Sequence, residues 1–224
     1  MFDPSVIGAA VDVLVELAGT GGALEFGIGT GRIALPLRQR GVPVHGIDNS
    51  PFMVERMQAK PGAADVAVTI GDFSTTRVDG TFSLVYLVYN TITNLTSQDE
   101  QVACFCNAAA HLEAGGCFVI EVGVPDLRRL PPGEVARVFS LRPGYVGVDE
   151  YTDTAAQQST SHHFWAVGDR VGTFSAPFRY VWPSELDLMA RIAGMTLRHR
   201  WSGWNRQPFS GDSTSHVSVW EKTA

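Results

Sequence analysis

The chain has 224 residues, 45% of them apolar, and a mean hydropathy of +0.04, which suits one α/β domain with a modest insertion and a full core. A formal net charge of −6 with no run of Lys or Arg denies a duplex nucleic acid its usual electrostatic footprint. No apolar stretch reaches the roughly 18 residues needed to cross a bilayer, so the sequence reads as cytoplasmic, with neither nucleic acid nor membrane as partner.

Asp3-Pro4 opens a predicted helix to about residue 18, with Val6, Ile7, Ala10, Val13, Leu14 and Leu17 at helical spacing. A strand over 23–27, a helix over 32–40 and a strand over 42–48 follow. Ser50 and Pro51 form an N-cap and first-turn pair for a helix over 52–58. A strand over 66–70 leads through Gly71-Asp72-Phe73 to an apolar run over 82–89. Residues 74–81 between them are too few for a normal crossover helix, so a loop or a single helical turn must cross the sheet. Ser97-Gln98-Asp99-Glu100 is a capping box for a helix to about residue 112, with 113–116 as its stop and 117–122 as the next strand. His111, in the last turn of that helix, suits the helix dipole as a charged residue. Cys104, Cys106 and Cys117 have no metal-ligand spacing and read as reduced, mostly buried thiols; no metal site is expected.

This alternation argues for a parallel sheet with helices on both faces. Between 125 and 182 the pattern changes to strand-rich segments over 134–141, 145–154, 157–167 and 170–181, separated by turn signals. They read as a small antiparallel sheet inserted after the fifth parallel strand, because a helix over 186–193 and strands over 196–201 and 215–220 then resume the α/β pattern.

The stretch LEFGIGTGR, Leu24 to Arg32, joins the first strand to its helix through three alternating glycines, and Asp48 ends the next strand. A strand, a tight loop, a helix and a second strand closing on a carboxylate form a site for an adenosine-containing cofactor. A dinucleotide fingerprint needs its third glycine at position 32, where Arg32 stands, and no Gly-Lys-Ser/Thr follows to make a P-loop. Glu25, two residues before Gly27, would repel a pyrophosphate but suits a ligand that carries an ammonium and a sulfonium.

LEFGIGTGR, then GIDNS, GDF, LVYNT and HLEAGGCFVIEV, resemble in order and interval the successive motifs of class I S-adenosylmethionine-dependent methyltransferases, over nearly the whole chain. The small-molecule type is implied, similar to sugar-amine N-methyltransferases and glycine/sarcosine methyltransferases. The resemblance implies a doubly wound α/β fold whose seven-stranded sheet has the order 3-2-1-4-5-7-6 with strand 7 antiparallel. Residues 1–224 would be a single domain, with the insertion at 125–182 as a lid over the acceptor site. It also implies S-adenosylmethionine as cofactor, S-adenosylhomocysteine as product, and in-line methyl transfer to nitrogen or oxygen of a small-molecule acceptor, with a homodimer as a possible assembly. About 20 residues precede the first strand, fewer than many such enzymes fold over the cofactor.

By position, Glu25 and the backbone of Gly27 and Gly29 would hold the methionine part, Gly31 would also be cofactor-binding, and Asp48, with two acceptor oxygens, would take both ribose hydroxyls. Asn49 and Met53 would pack near the adenine, and Asp72 would accept from its exocyclic amine beside Phe73. Tyr89 and Asn90, at the end of the fourth strand, would face the methyl group, Tyr89 also bordering the cofactor. Neighbours on a strand face opposite ways, so at most one of His162 and His163 enters the cleft; His163 is the candidate base. An oxygen acceptor would want such a base, whereas an amine needs only to arrive unprotonated. The rivals are a catalytically silent cofactor-binding module and a nicotinamide-dependent oxidoreductase, the second disfavoured by Arg32.

Overall fold

A computed structural model describes residues 4–223, with side chains from residue 6 onward. Asp3, expected to open the first helix, lies outside the described residues. The elements in chain order are α1 (Pro4–Ala18), β1 (Ala23–Phe26), α2 (Ala34–Gln39), β2 (Val44–Asp48), α3 (Pro51–Gln58), β3 (Ala67–Ile70), β4 (Phe82–Leu87), α4 (Gln98–His111) and β5 (Leu112–Gly123). Then come β6 (Ala136–Arg142), β7 (Tyr145–Asp153), β8 (Gln158–Val167), β9 (Arg170–Arg179), α5 (Pro183–Ile192), β10 (Met195–Trp201) and β11 (Ser215–Lys222).

A seven-stranded sheet runs β10-β11-β5-β4-β1-β2-β3, with β11 antiparallel to both neighbours. That is the expected doubly wound order with its reversed last strand. Alternate residues of each strand face opposite sides, and both sides are filled. Leu84, Tyr86 and Val119 join Leu14, Leu37 and Met57 of α1, α2 and α3 in one core. Leu24, Phe26, Val85 and Phe118 join Phe105, Leu186 and Met189 of α4 and α5 in the other. No described helix is long and apolar enough to cross a membrane.

Local chemistry explains most boundaries. Ser50 caps α3, its Oγ accepting from Met53 N at 3.4 Å. Ser97 and Glu100 close a reciprocal capping box at α4. Helix α2 is shorter than expected because Arg32 and Ile33 are spent on the turn that leaves the glycine loop. Residues 113–116 do not end a helix before a gap. Leu112 already pairs with Phe82 and Cys117 with Leu84, so the intervening residues bulge out of a continuous β5.

The short crossing after β3 is a loop, and α4 supplies the hydrogen bonds that a helix would have made internally. Asn107 Nδ2 donates to the carbonyls of Phe73 (2.7 Å) and Thr76 (2.9 Å), and Val78 N donates to His111 Nε2 at 3.0 Å. His111 is therefore not the charged dipole partner expected. Burial lowers its pKa, and accepting at Nε2 leaves Nδ1 as the donor to Asn107 O at 2.8 Å.

Between β5 and α5, strands β6-β7-β8-β9 form a four-stranded antiparallel meander. Its root is a buried polar knot. Arg179, at the end of β9 and 4% exposed, pairs with Glu185 of α5 at 2.7 Å and donates to Gln101 of α4. Gln101 Nε2 in turn meets the carbonyls of Ile92, Leu95 and Arg179, and Gln157 donates to Tyr180 O and Glu185. Burial would raise the Glu185 carboxyl, but hydrogen bonds from Gln157, Arg179 and Gln98 and the charge of Arg179 outweigh it and hold the group below the usual range.

Candidate active site

At the carboxyl ends of β1 and β2 the chain turns through the glycine loop. Gly27 N and Ile28 N donate to Ile47 O at 2.8 and 3.1 Å, laying the loop across the end of β2. Gly29, at φ +55°, adopts a left-handed conformation that a side chain would strain, and its N–H donates to Asp48 Oδ2 at 2.7 Å. A Cβ at Gly29 would make only ordinary contacts, with Met53 Cε at 3.7 Å and Gly27 O at 3.9 Å, so this part of the loop is open. At Gly31 the reason for glycine is space, because a Cβ would lie 2.6 Å from Met57 Cγ.

Asp48, 8% exposed, receives Ser50 N on its other oxygen at 2.9 Å. Each oxygen thus keeps acceptor capacity for one further donor. Glu25 lies below the loop, 3% exposed, accepting from Tyr86 Oη at 2.9 Å. Burial pushes its carboxyl up to about 8, against the pull of Tyr86, the charge of Arg32 and the Ala34 N–H at the start of α2.

The other expected cofactor residues diverge. Asn49 is exposed and Met53 is 38% exposed, at the open start of α3. Asp72 Oδ1 takes Ser74 N and Ser74 Oγ, each at 2.8 Å, in a side-chain turn. Phe73 packs into the core, stacked on Phe26 with centroids 5.9 Å apart.

The end of β4 is the most constrained corner. Tyr89 and Asn90 are consecutive non-glycine residues with φ of 60°, a conformation costing of order 1–3 kcal/mol each that persists only where surroundings enforce it. Glu121 of β5 enforces it: its carboxylate accepts Tyr89 N at 3.0 Å and Trp204 Nε1 at 2.8 Å, and its carbonyl accepts Asn90 N at 3.1 Å. Asn90 Oδ1 accepts Gly123 N at 2.6 Å. The Tyr89 ring, half exposed, lies 4.6 Å beneath the Arg32 guanidinium.

Tyr89 and Asn90 open onto a cavity of about 530 Å³ beneath the four-stranded sheet, lined also by Phe139, Asp149, Ser161 and His163. A branch of about 260 Å³ shares Asn90, Asp149, Ser161 and Phe178 and extends to Asp126, Arg137 and Tyr151. His163 faces inward, its Nδ1 2.7 Å from Tyr145 Oη, between the rings of Phe139 and Phe174. His162 lies on the opposite face, against Glu150 (3.1 Å) and Ser175 (2.8 Å). Sequence reasoning missed Glu121, Asp126, Arg137 and Asp149. Alternation along β7 puts Asp149 on one face with Tyr151, but nothing local says which face turns inward.

The whole architecture has known counterparts. The structure of the CcbJ methyltransferase from Streptomyces caelestis is 34% identical, covers 99% of this chain and 91% of its own, and superposes with a TM-score of 0.88. The chain belongs to the class I S-adenosylmethionine-dependent methyltransferases. A methyltransferase domain model matches residues 23–116, which hold the glycine loop, Asp48 and the β4 corner. The "Cypemycin N-terminal methyltransferase" of Streptomyces sp is 27% identical over 201 residues, 89% of this chain and 82% of that protein. S-adenosylmethionine-bound CalS10, an amino pentose methyltransferase from Micromonospora echinaspora, shares the fold at 22% identity, 97% and 90% coverage and a TM-score of 0.73. This methyltransferase accordingly uses S-adenosylmethionine.

Proposed function

We propose that the protein transfers the methyl group of S-adenosylmethionine to the nitrogen of a small-molecule amine by in-line displacement. The observation that carries the reading is the corner at Tyr89 and Asn90. It stands between the glycine-loop side of the sheet and the cavity beneath the meander, where a methyl group and an acceptor would meet. Nitrogen is favoured by the name of the relative that methylates an N-terminus, and by a cavity that holds two carboxylates, Asp126 and Asp149, along its branch.

The residues fit the cofactor. Asp48 has spare acceptor capacity on both oxygens for a ribose diol, and Gly29 leaves the loop open. Gly27 and Gly31 shape that loop, Asn49 and Met53 border the adenine, and Asp72 offers its remaining oxygen at the same edge. Arg32, above Tyr89, is the cation for the methionine carboxylate. Glu25 and Phe73, 3% and 8% exposed, would border the cofactor from beneath the loop. S-adenosylmethionine supplies an already activated methyl carbon. The protein's part is to orient the acceptor and exclude water, with residues 125–182 as the roof and Tyr89 and Asn90 fixing the line of approach. His163, poised by Tyr145, takes a proton from the acceptor.

The test is turnover with methyl-labelled S-adenosylmethionine and tyramine, which carries an amine and a phenol on one scaffold, and with benzylamine and benzyl alcohol. Label in N–CH3 products is expected. Label only in O–CH3 products, with loss of turnover in His163→Ala, would replace the reading by oxygen transfer, and binding without any transfer would favour a silent module.

A further inference from the structure

The cavity beneath the meander contains a carboxylate that, among the described residues, forms no ion pair. Arg137 of β6, Asp149 of β7 and Ser161 of β8 stand side by side in register across the sheet. Arg137 is committed to Asp126 in the loop after β5, which Arg129 also reaches from the solvent side at 3.4 Å. Asp149 accepts the hydroxyl of Ser161, and among the described residues no Lys, Arg or His forms an ion pair with it. It lines both the main cavity beside Tyr89 and the branch beside Tyr151, as does Asn90 of the strained corner.

We propose that Asp149 selects the acceptor, its carboxylate taking the N–H hydrogens of an amine held between it and Tyr89. The inference rests on the nitrogen-transfer reading above and names the residue responsible for it. A charge-assisted hydrogen bond is about twice as strong as a neutral one, and Ser161 fixes the carboxylate that makes it. Arg137, in register beside Asp149, is instead paired with Asp126.

The chemistry favours nitrogen at this position. An amine that enters as R–NH3⁺ first gives one proton to solvent through His163. The nitrogen lone pair then forms the N–C bond as the C–S bond breaks, sulfur keeps that electron pair as a thioether, and the product leaves as R–NH2⁺–CH3. Charge on nitrogen grows along this path, and the hydrogens it retains point to an acceptor such as Asp149. A phenolate would approach the same carboxylate as a like charge.

The experiment compares wild type, Asp149→Asn and Asp149→Glu, with tyramine and benzylamine as amines and benzyl alcohol as the isosteric control. Calorimetric titration with S-adenosylmethionine runs in parallel. Asp149→Asn is expected to lower kcat/KM for the amines by about 10- to 100-fold. Cofactor affinity should stay within about 2-fold of wild type, and Asp149→Glu should recover part of the loss. Equal amine turnover in wild type and Asp149→Asn would overturn the assignment of Asp149 and leave nitrogen transfer standing. Transfer to oxygen alone in wild type would overturn both. Loss of cofactor affinity in Asp149→Asn would make the residue part of the scaffold, which also overturns the proposal.

Discussion

The two sheets of this methyltransferase are held by different forces. The seven-stranded sheet is packed on both faces, and Leu24, Phe26, Tyr86, Phe118 and Trp220 are each at most 1% exposed. In the four-stranded sheet only Gly147 and Arg179 are buried. Its outer face shows Leu141 at 77% and Val171 at 79% exposure. It is fastened at one end, by the knot of Arg179, Glu185, Gln101 and Gln157. A region with few buried apolar contacts is the one that opens first, so the four-stranded half, which we propose roofs the acceptor, is the labile half.

That contrast is broken most severely at the knot. Arg179→Ala leaves the part-buried Glu185 carboxylate without its cation, with only Gln157 and Gln98 still donating to it, a loss of about 3 kcal/mol. Urea denaturation should show it, with S-adenosylmethionine affinity kept and turnover lost. Simultaneous loss of both would mean that the two sheets do not behave as separable units.

A smaller break lies in the packed half. Gly46→Ala drives a methyl group against Ile28, whose Cδ1 is 2.4 Å from that position, and so against the glycine loop. Overpacking of this kind costs about 1–3 kcal/mol, and here cofactor affinity should fall with stability. Unchanged affinity in a destabilised variant would separate the loop from the core beneath it.

The pH dependence sharpens the contrast, because Glu25 and His216, two strongly shifted groups, both lie in the packed half. Burial raises Glu25 from 4.5 to about 8, so the stability it contributes is complete below about 4.5 and is lost as pH rises to about 8. Burial, helped by the charge of Arg200, lowers His216 from 6.5 to about 4, so its contribution is present above 6.5 and lost as pH falls toward 4. Above the His216 window but within that of Glu25, from about 6.5 to 8, Glu25 alone of the two acts. Ligand-free Glu25→Gln should therefore lose a slope of up to about 1.4 kcal/mol per pH unit. Thermal melts across that range check it; an unaltered slope contradicts a neutral Glu25. The smallest effect is on the roof's outer face, where Leu141→Ser should shift stability by no more than about 0.5 kcal/mol and leave turnover unchanged.

The same division governs what could be read from the sequence. The glycine loop, Asp48, the cap at Ser50, the box at Ser97 and the four strands of the meander rest on local periodicity and turn chemistry, and those signals lie within a few residues of one another. The neutral state of His111 was not legible, because it depends on a loop that begins more than 30 residues earlier. The bulge at 113–116 depends on pairing with β4. Glu121 acquires its role only when Tyr89 and Trp204 arrive from distant segments. Asp149 stands out only once Arg137 is seen to be engaged by Asp126. The proposed cofactor contacts, a loop and one carboxylate, are written locally; a cavity assembled beneath four strands is not.

The most direct test of the account is a calorimetric titration of S-adenosylhomocysteine into wild type, Asp48→Ala and Asp149→Asn. Saturable binding in the micromolar range is expected for wild type and Asp149→Asn, with none measurable for a folded Asp48→Ala. Wild-type affinity in Asp48→Ala would contradict the claim that the packed half alone holds the cofactor through that carboxylate.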